Sequence, residues 1–280
     1  MKLIKPEFQI IEPTGYTIDD IYKSIELAGR VSHRSEDKIT ETSAKDFVGR
    51  MLNMKHLATC EFGTIYLYID YHNPSFGKII DKYNNNQYSK CIIDNVFPDK
   101  AYISSNYRVL VENNWLDDLK YLCEPTEYHY KRYTIKFVLD RAILAEFTRH
   151  RKFSFMAESS RYNNYSKNKF NNELTFIEPC WLTSDMKSNL TYLNYVDTLQ
   201  KIEDTYITLT KNGWKAEEAR NILPLSLKTE LYMCGFAEDW KKFFELRSKK
   251  YGVGNPHPQA DELATPLYEE FIKRGYINER

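Results

Sequence analysis

The chain has 280 residues, enough for one large domain or two small ones, and its 39 basic and 39 acidic side chains leave a formal net charge of zero. That balance argues against a general nucleic-acid binder, whose affinity rests on neutralising phosphates with surplus Lys and Arg, but it leaves room for a local anion pocket. Five widely spaced cysteines without a CxxC pair read as reduced thiols in the cytoplasm rather than a disulfide frame or zinc site, the opening Met1-Lys2-Leu3-Ile4-Lys5-Pro6 lacks a secretion signal's apolar run, and no stretch reaches the roughly 18 apolar residues of a membrane span.

In chain order, Ile21, Ile25 and Leu27 recur near helical spacing and predict a helix over 18–29, with Gly29 able to end it. A second helix is expected over 42–56, with Phe47, Met51, Leu52 and Met54 mostly on one side. Residues 64–70 (TIYLYID) alternate and are β-branched and aromatic, which predicts a strand. Asn84-Asn85-Asn86 is a polar loop too short to divide domains. Residues 101–111 suit a strand or a helix equally, and 117–123 suit a helix. A strand over 133–139 feeds a short helix over 141–148, whose end carries Arg149-His150-Arg151. A short strand over 174–177 stops at Pro179, followed by a long helix over 184–211 with Leu190, Leu193, Val196, Leu199, Ile202 and Tyr206 in phase. A short helix over 216–222 stops at Pro224, and two more cover 239–249 and 259–273. With no repeat and no Pro/Gly/Ser-rich linker, the chain reads as one domain over 1–280. Strands and helices that do not alternate predict an α+β fold, a mixed or antiparallel sheet flanked by helices.

The densest chemistry lies in Arg149-His150-Arg151-Lys152-Phe153-Ser154-Phe155-Met156-Ala157-Glu158-Ser159-Ser160-Arg161-Tyr162. Guanidinium groups bind phosphates and carboxylates bidentately, and hydroxyls with backbone N–H groups complete a phosphate cradle. A solvated basic turn is the plainer reading of any one of these arginines. Downstream, Arg220 in Ala219-Arg220-Asn221-Ile222-Leu223-Pro224 and Arg247 in Phe243-Phe244-Glu245-Leu246-Arg247 are each bordered by apolar residues. Alone, each suits a surface ion pair; with Arg149 and Arg161 they suit a multi-arginine anion site. The six histidines form no HxxxH or HxH pair, so no metal is expected. Gly252-Val253-Gly254 lacks the preceding strand of a dinucleotide-binding turn. Cys180 follows a proline, but no neighbouring cation lowers its pKa, so it reads as structural.

Arg149-His150-Arg151, Ser154, Ser159, Arg161 and Tyr162 together match RHRxxSxxxxSxRY, which resembles the signature of the flavin-dependent thymidylate synthase (ThyX) family. Seven fixed positions in fourteen residues make that signal specific. Weaker similarity extends over most of the chain: Gly29-Arg30-Val31-Ser32, the segment holding His56 and Glu61, Ala219 to Pro224, Leu246-Arg247 and His257-Pro258-Gln259. Residues 163–177 resemble a longer-chain branch of the family. The resemblance implies conversion of dUMP to dTMP by a cytoplasmic homotetramer with active sites shared between subunits. Methylenetetrahydrofolate gives the carbon, NADPH the hydride, and FAD mediates both.

The same resemblance distributes roles. Ser32, His56, Arg149, His150, Arg151, Leu246 and His257 are expected at FAD. Glu146, Arg149, Glu158, Ser159, Ser160, Arg161, Arg220 and Arg247 are expected at dUMP, with Ser159 and Arg161 at its phosphate. Arg247 is expected to hold the uracil and favour ionisation at N3, as a fixed cation does. This chain departs from the family pattern at Ala157, where Glu or Gln is usual, at Phe62, where His is common, and at Ala58. Those departures keep a second reading open, a flavoprotein of the same fold with lost or altered methylation. A non-enzymatic nucleotide or nucleic-acid binder using the Arg149–Lys152 run is the third.

Overall fold

In the computed structural model, which describes residues 1–94 and 99–279, the chain runs β1 (Lys2–Ile4), β2 (Glu7–Ile11), α1 (Ile18–Arg30), α2 (Ser43–Asn53), β3 (Thr64–Asp70), α3 (Phe76–Asn84), β4 (Lys90–Ile93), β5 (Lys100–Asn106) and α4 (Tyr107–Glu112). It continues β6 (Arg132–Asp140), α5 (Arg141–Phe147), β7 (Ser154–Ala157), β8 (Thr175–Ile177), α6 (Leu190–Lys211), α7 (Ala216–Ala219), β9 (Lys228–Phe236), α8 (Ala237–Arg247) and α9 (Pro258–Lys273). The fold is α+β.

The sheet that positions the site is antiparallel, in the order β2-β6-β9-β7. Its centre is β9, buried at every position after Lys228. The pleat sends Leu231 and Met233 to one face and Tyr232 and Cys234 to the other. On the first face they join Ile135, Phe137 and Leu139 of β6 under Trp240, Phe243 and Phe244 of α8 and Leu263, Leu267 and Phe271 of α9. Aromatic edges lock this core: Phe147 meets Phe243 at 4.8 Å and Phe153 meets Trp240 at 4.7 Å, both T-shaped. The opposite face is covered by Ala28 and Val31 from the end of α1, with Phe62.

A second antiparallel sheet, β3-β5-β4, supports a separate core with Ile21 and Ile25 of α1, Phe47 and Val48 of α2, Ile79 and Tyr83 of α3, and Val109 and Leu110 of α4. The parallel pair β1-β8 packs with Leu199 and Tyr206 of α6.

Several element boundaries differ from expectation, each for a local reason. Helix α1 passes through Gly29 to Arg30, because Gly29 serves packing: an added Cβ would sit 2.6 Å from the Phe47 ring. Residues 101–111 hold both candidate structures, a strand that becomes a helix where the Asn106 side chain accepts the Val109 N–H at 3.2 Å. Helix α6 starts late, at Leu190, where Asn189 caps it by accepting from Thr191 N at 2.9 Å; a 3₁₀ turn, Ser184–Ser188, precedes it. Residues 116–121 form a 3₁₀ turn rather than an α-helix, and α7 tightens into a 3₁₀ turn at Arg220–Ile222.

Candidate active site

The basic turn after α5 is held from both ends. Asp140 caps the helix start, accepting from Ile143 N at 2.7 Å and from the Gln259 side chain of α9 at 2.8 Å. At the other end Phe147 and Phe153 are both buried in the aromatic core, so the intervening Arg149, His150, Arg151 and Lys152 bulge from it as a short loop. Backbone bonds from His150 N to Phe147 O and from Phe153 N to His150 O, both 3.1 Å, fix its curvature. Gly235 of β9 permits the close approach, since a Cβ there would lie 2.5 Å from the Phe153 ring.

One side of this loop faces the C-terminal end of α8. Arg247 donates from Nε to His150 Nε2 at 3.2 Å, from Nη2 to the Glu146 main-chain oxygen at 2.9 Å, and from Nη1 to the Glu146 carboxylate. It therefore also caps the end of α5. Buried Ser248, the next residue, bonds the Thr265 hydroxyl of α9 at 2.7 Å and fixes the end of α8. Burial, with the positive charge of Arg247 beside it, pushes the His150 pKa down to about 4, so the ring is neutral at pH 7.

The other side of the loop opens on a cavity of ≈ 430 Å³ lined by cations Lys90, Arg132, Arg151 and Lys152, carboxylates Glu61 and Asp239, and the rings of Tyr88 and Phe236. Arg132 is fixed there by the Glu61 carbonyl at 3.1 Å and the hydroxyls of Thr64 at 3.2 Å and Ser154 at 3.3 Å. Lys90 pairs with Glu238, and Glu61 pairs with Arg108 at 2.6 Å.

A third group surrounds the turn after β7. Ser159 N and the Asn163 side chain both donate to the Ser32 carbonyl at 3.1 Å, which pins this turn to the end of α1. Arg161 is exposed and donates to Glu217 of α7 at 2.9 Å; Arg220, one turn further on, also acts on Glu217. Tyr162 stacks on His33, with ring centres 4.4 Å apart.

A family model described as "Thymidylate synthase complementing protein" matches residues 124–274, more than half of the chain. The chain belongs to this family. A relative named "Probable flavin-dependent thymidylate synthase", from Paramecium bursaria Chlorella virus 1, is 30% identical over 156 residues; the match covers 50% of this chain and 66% of the relative, just under two thirds of its length. Two solved structures of the UMP/dUMP methylase PolB from Streptomyces cacaoi are also similar. The one bound with 5-Br dUMP has a TM-score of 0.44 at 16% identity over 98% of this chain and 93% of that chain. The one bound with 5-Br UMP has a TM-score of 0.45 at 14% identity over 98% and 92%.

In this member of the thymidylate synthase complementing family, most of the expected site residues, but not His56, Leu246, His257 or Glu158, fall into the three groups described above. Glu146, His150 and Arg247 meet directly; Arg151 lines the cationic cavity, with Arg149 exposed beside it; Ser32, Ser159 and Ser160 stand in the third group with Arg161 and Arg220. His56 is exposed ahead of the 3₁₀ turn Leu57–Phe62, Leu246 is exposed on α8, and His257 caps α9.

Glu158 behaves differently from its neighbours in the motif. It is 1% exposed and accepts from Lys228 Nζ at 3.0 Å, Tyr165 Oη at 3.1 Å and Arg34 at 3.3 Å. Glu230 shares Lys228 at 2.6 Å and Arg34 at 2.9 Å, and adds Lys136 at 2.7 Å. Burial opposes its ionisation, yet these three cations outweigh burial and hold the Glu230 carboxyl down at about 2. Sequence reasoning missed this network because Arg34, Lys228 and Glu230 belong to no motif. The available signal was two opposite charges two residues apart on a strand, which the pleat places on one face. Ala157, on the opposite parity from Glu158, packs with Phe155 against the aromatic core.

A flavin dinucleotide needs cations at its pyrophosphate and flat walls for its rings. Lys90, Arg132, Arg151 and Lys152 with Tyr88 and Phe236 supply both kinds of group, so the donor set of the ≈ 430 Å³ cavity fits FAD.

Proposed function

We propose that the chain is a flavin-dependent thymidylate synthase, forming dTMP from dUMP with methylenetetrahydrofolate as carbon donor and NADPH as reductant. The observation that carries this reading is the placement of Arg247 against the Arg149-His150-Arg151 loop, with its guanidinium fixed by Glu146 and His150. A fixed cation beside uracil N3 stabilises the deprotonated imide and raises electron density at C5, the carbon to be alkylated. This removes the need for a cysteine nucleophile, and burial pushes the Cys60, Cys91, Cys123 and Cys180 thiols up, against nucleophilic use. Arg161, Ser159, Ser160 and Arg220 would cradle the 5′-phosphate.

Arg151, Lys152, Arg132 and Lys90 would hold the FAD pyrophosphate, with Arg149 reaching from the same loop. FAD, when bound, supplies hydride transfer between NADPH and the folate-derived carbon. Ser32, His56, Leu246 and His257 lie outside the cavity, and a neighbouring subunit would bring such groups to it. We therefore read the working form as a homotetramer of single-domain chains with shared sites. Exposed Leu190, Leu193, Leu225, Leu246 and Trp181 offer apolar surface for such contacts. We place it in the cytoplasm, in keeping with five free cysteines; no helix among the described residues is long and apolar enough to cross a membrane.

A visible absorption spectrum of the purified protein tests the flavin, and dUMP-dependent oxidation of NADPH tests the coupling. Absence of a flavin spectrum, even after FAD is added back, would overturn the proposal. Ala157 favours a second reading, a flavoprotein with altered methylation, because an apolar methyl stands at a motif position where the family pattern has a polar side chain. Flavin and NADPH oxidation without dTMP would select it.

A further inference from the structure

We infer that Arg34 is a positioning residue for the nucleotide: its ion pairs hold a left-handed turn, and that turn fixes the proposed phosphate cradle, Ser159 to Arg161. The inference rests on the reading above for what the cradle binds, and on backbone geometry for how it is held.

The turn follows α1. Val31, Ser32 and His33 form a 3₁₀ turn closed by Arg34 N, which donates to Val31 O at 3.1 Å. Arg34 itself is left-handed, with φ 49° and ψ 52°. That conformation crowds the Cβ of any residue except glycine, so neighbouring contacts must hold it. The side chain supplies them. Its Nη1 lies 2.9 Å from the Glu230 carboxylate of β9 and 3.3 Å from that of Glu158, just past β7, and its Nε faces Glu36 at 3.5 Å. The first two carboxylates are themselves anchored: they share Lys228 at 2.6 and 3.0 Å, and Glu158 N donates to Glu230 O at 2.8 Å. Through Arg34 the turn is tied to the main sheet.

The turn in turn holds the cradle. Ser32 O accepts from Ser159 N and from the Asn163 side chain, both at 3.1 Å, and Asn163 also donates to Ser159 O at 3.0 Å. His33 O accepts from Lys169 at 2.8 Å, and the His33 ring carries Tyr162. A turn relaxed out of the left-handed region would swing the Ser32 carbonyl away and leave Ser159 N without its acceptor. Ser159 and Arg161 would then no longer be aimed together at one phosphate. With Arg34 removed, Lys228 and Lys136 still face Glu158 and Glu230. Two cations remain for two carboxylates, so the variant is expected to fold.

Two substitutions separate positioning from general damage. Arg34→Met removes the ion pairs and keeps a side chain that disfavours the left-handed turn; Arg34→Gly removes them where that turn meets no steric resistance. The probes are dUMP and deoxyuridine, which differ only in the phosphate. By calorimetry, we expect Arg34→Met to weaken dUMP binding about tenfold and to leave deoxyuridine binding within about twofold of wild type. The rate of dTMP formation at saturating dUMP should stay within about threefold. Arg34→Gly recovers most of the dUMP affinity. Equal weakening of dUMP and deoxyuridine, or no recovery in Arg34→Gly, would overturn the inference.

A second measurement needs no nucleotide. In hydrogen–deuterium exchange read by mass spectrometry, the Ser159 amide should exchange about tenfold faster in Arg34→Met than in wild type, while peptides from α9 keep their wild-type rates. Unchanged exchange at Ser159 would overturn the inference. If the wild-type protein binds no dUMP, the proposed function fails, while the exchange rate still decides whether Arg34 holds the turn.

Discussion

Arg247 and Arg161 carry the same charge in different settings, and that difference predicts different losses. Arg247 is 16% exposed with its fork held by Glu146 and His150, whereas Arg161 is 56% exposed, ion-paired with Glu217 and lying over the Tyr162 ring. A preorganised cation beside developing charge contributes to the chemical step, and a mobile one contributes to binding. Arg247→Ala should lower kcat by roughly 10²- to 10³-fold with a smaller change in the dUMP dissociation constant. Steady-state kinetics would show the ionisation role to be wrong if the saturated rate were intact. Arg161→Ala should weaken dUMP binding by about tenfold, with kcat nearly unchanged. Calorimetry showing an unchanged dissociation constant would remove Arg161 from the phosphate cradle. The candidate residues from Arg149 to Tyr162 stood out in sequence because they form one contiguous motif. The bond between Glu146 and Arg247 was not legible, since the partners are 101 positions apart and meet only when α5 and α8 pack on one sheet. Nor does the motif reveal that Glu158 turns inward to Lys228, Tyr165 and Arg34 while Ser159 stays near Ser32.

At the level of elements, period and propensity located α1, β3, β6, α8 and α9 to within a few residues, because each buries one face. They failed at β9, the most buried strand of the main sheet. Both its faces are covered, so alternation is absent, and Lys228, Glu230, Leu231 and Met233 blur its strand propensity. The 101–111 ambiguity had a different origin: both structures are present, divided at Asn106. The contact between β9 and the basic loop is as tight as any at the site, since Gly235 faces the Phe153 ring directly. Gly235→Ala should therefore force the loop or the strand aside and cost roughly 1–3 kcal/mol, the usual range for overpacking. It should also loosen Arg151 in its cavity. Urea unfolding measures the first effect and FAD affinity the second; wild-type stability in this variant would show that the contact is slack.

Across the whole molecule, the buried charge network ties β6, β9, the end of β7 and the segment after α1 together through Lys136, Glu230, Glu158 and Arg34. Removing one partner from such a network leaves uncompensated buried charge, so Glu230→Gln should cost about 3 kcal/mol at pH 7. The sign with pH follows from linkage. The Glu230 carboxyl is held down to about 2 in the fold against a usual 4.5, so its contribution is fully present above about 4.5 and is lost as pH falls toward 2. Neutral His150 adds a loss of stability between its usual 6.5 and its folded value of about 4, where the unfolded chain binds the extra proton. Asp140 and Asp239, raised by burial, act in the opposite sense and gain from protonation. The Glu230→Gln comparison isolates one group from these others: the gap between wild type and variant in urea unfolding should narrow as pH falls from about 5 toward 2. A gap independent of pH would show that Glu230 is not ionised in the fold.

The most direct test of the whole account is to incubate the purified protein with dUMP, methylenetetrahydrofolate, NADPH and FAD and to quantify dTMP by chromatography. The account predicts dTMP that disappears when either FAD or NADPH is withheld from flavin-stripped protein. NADPH consumption without dTMP, under conditions where flavin and dUMP both bind, would contradict it.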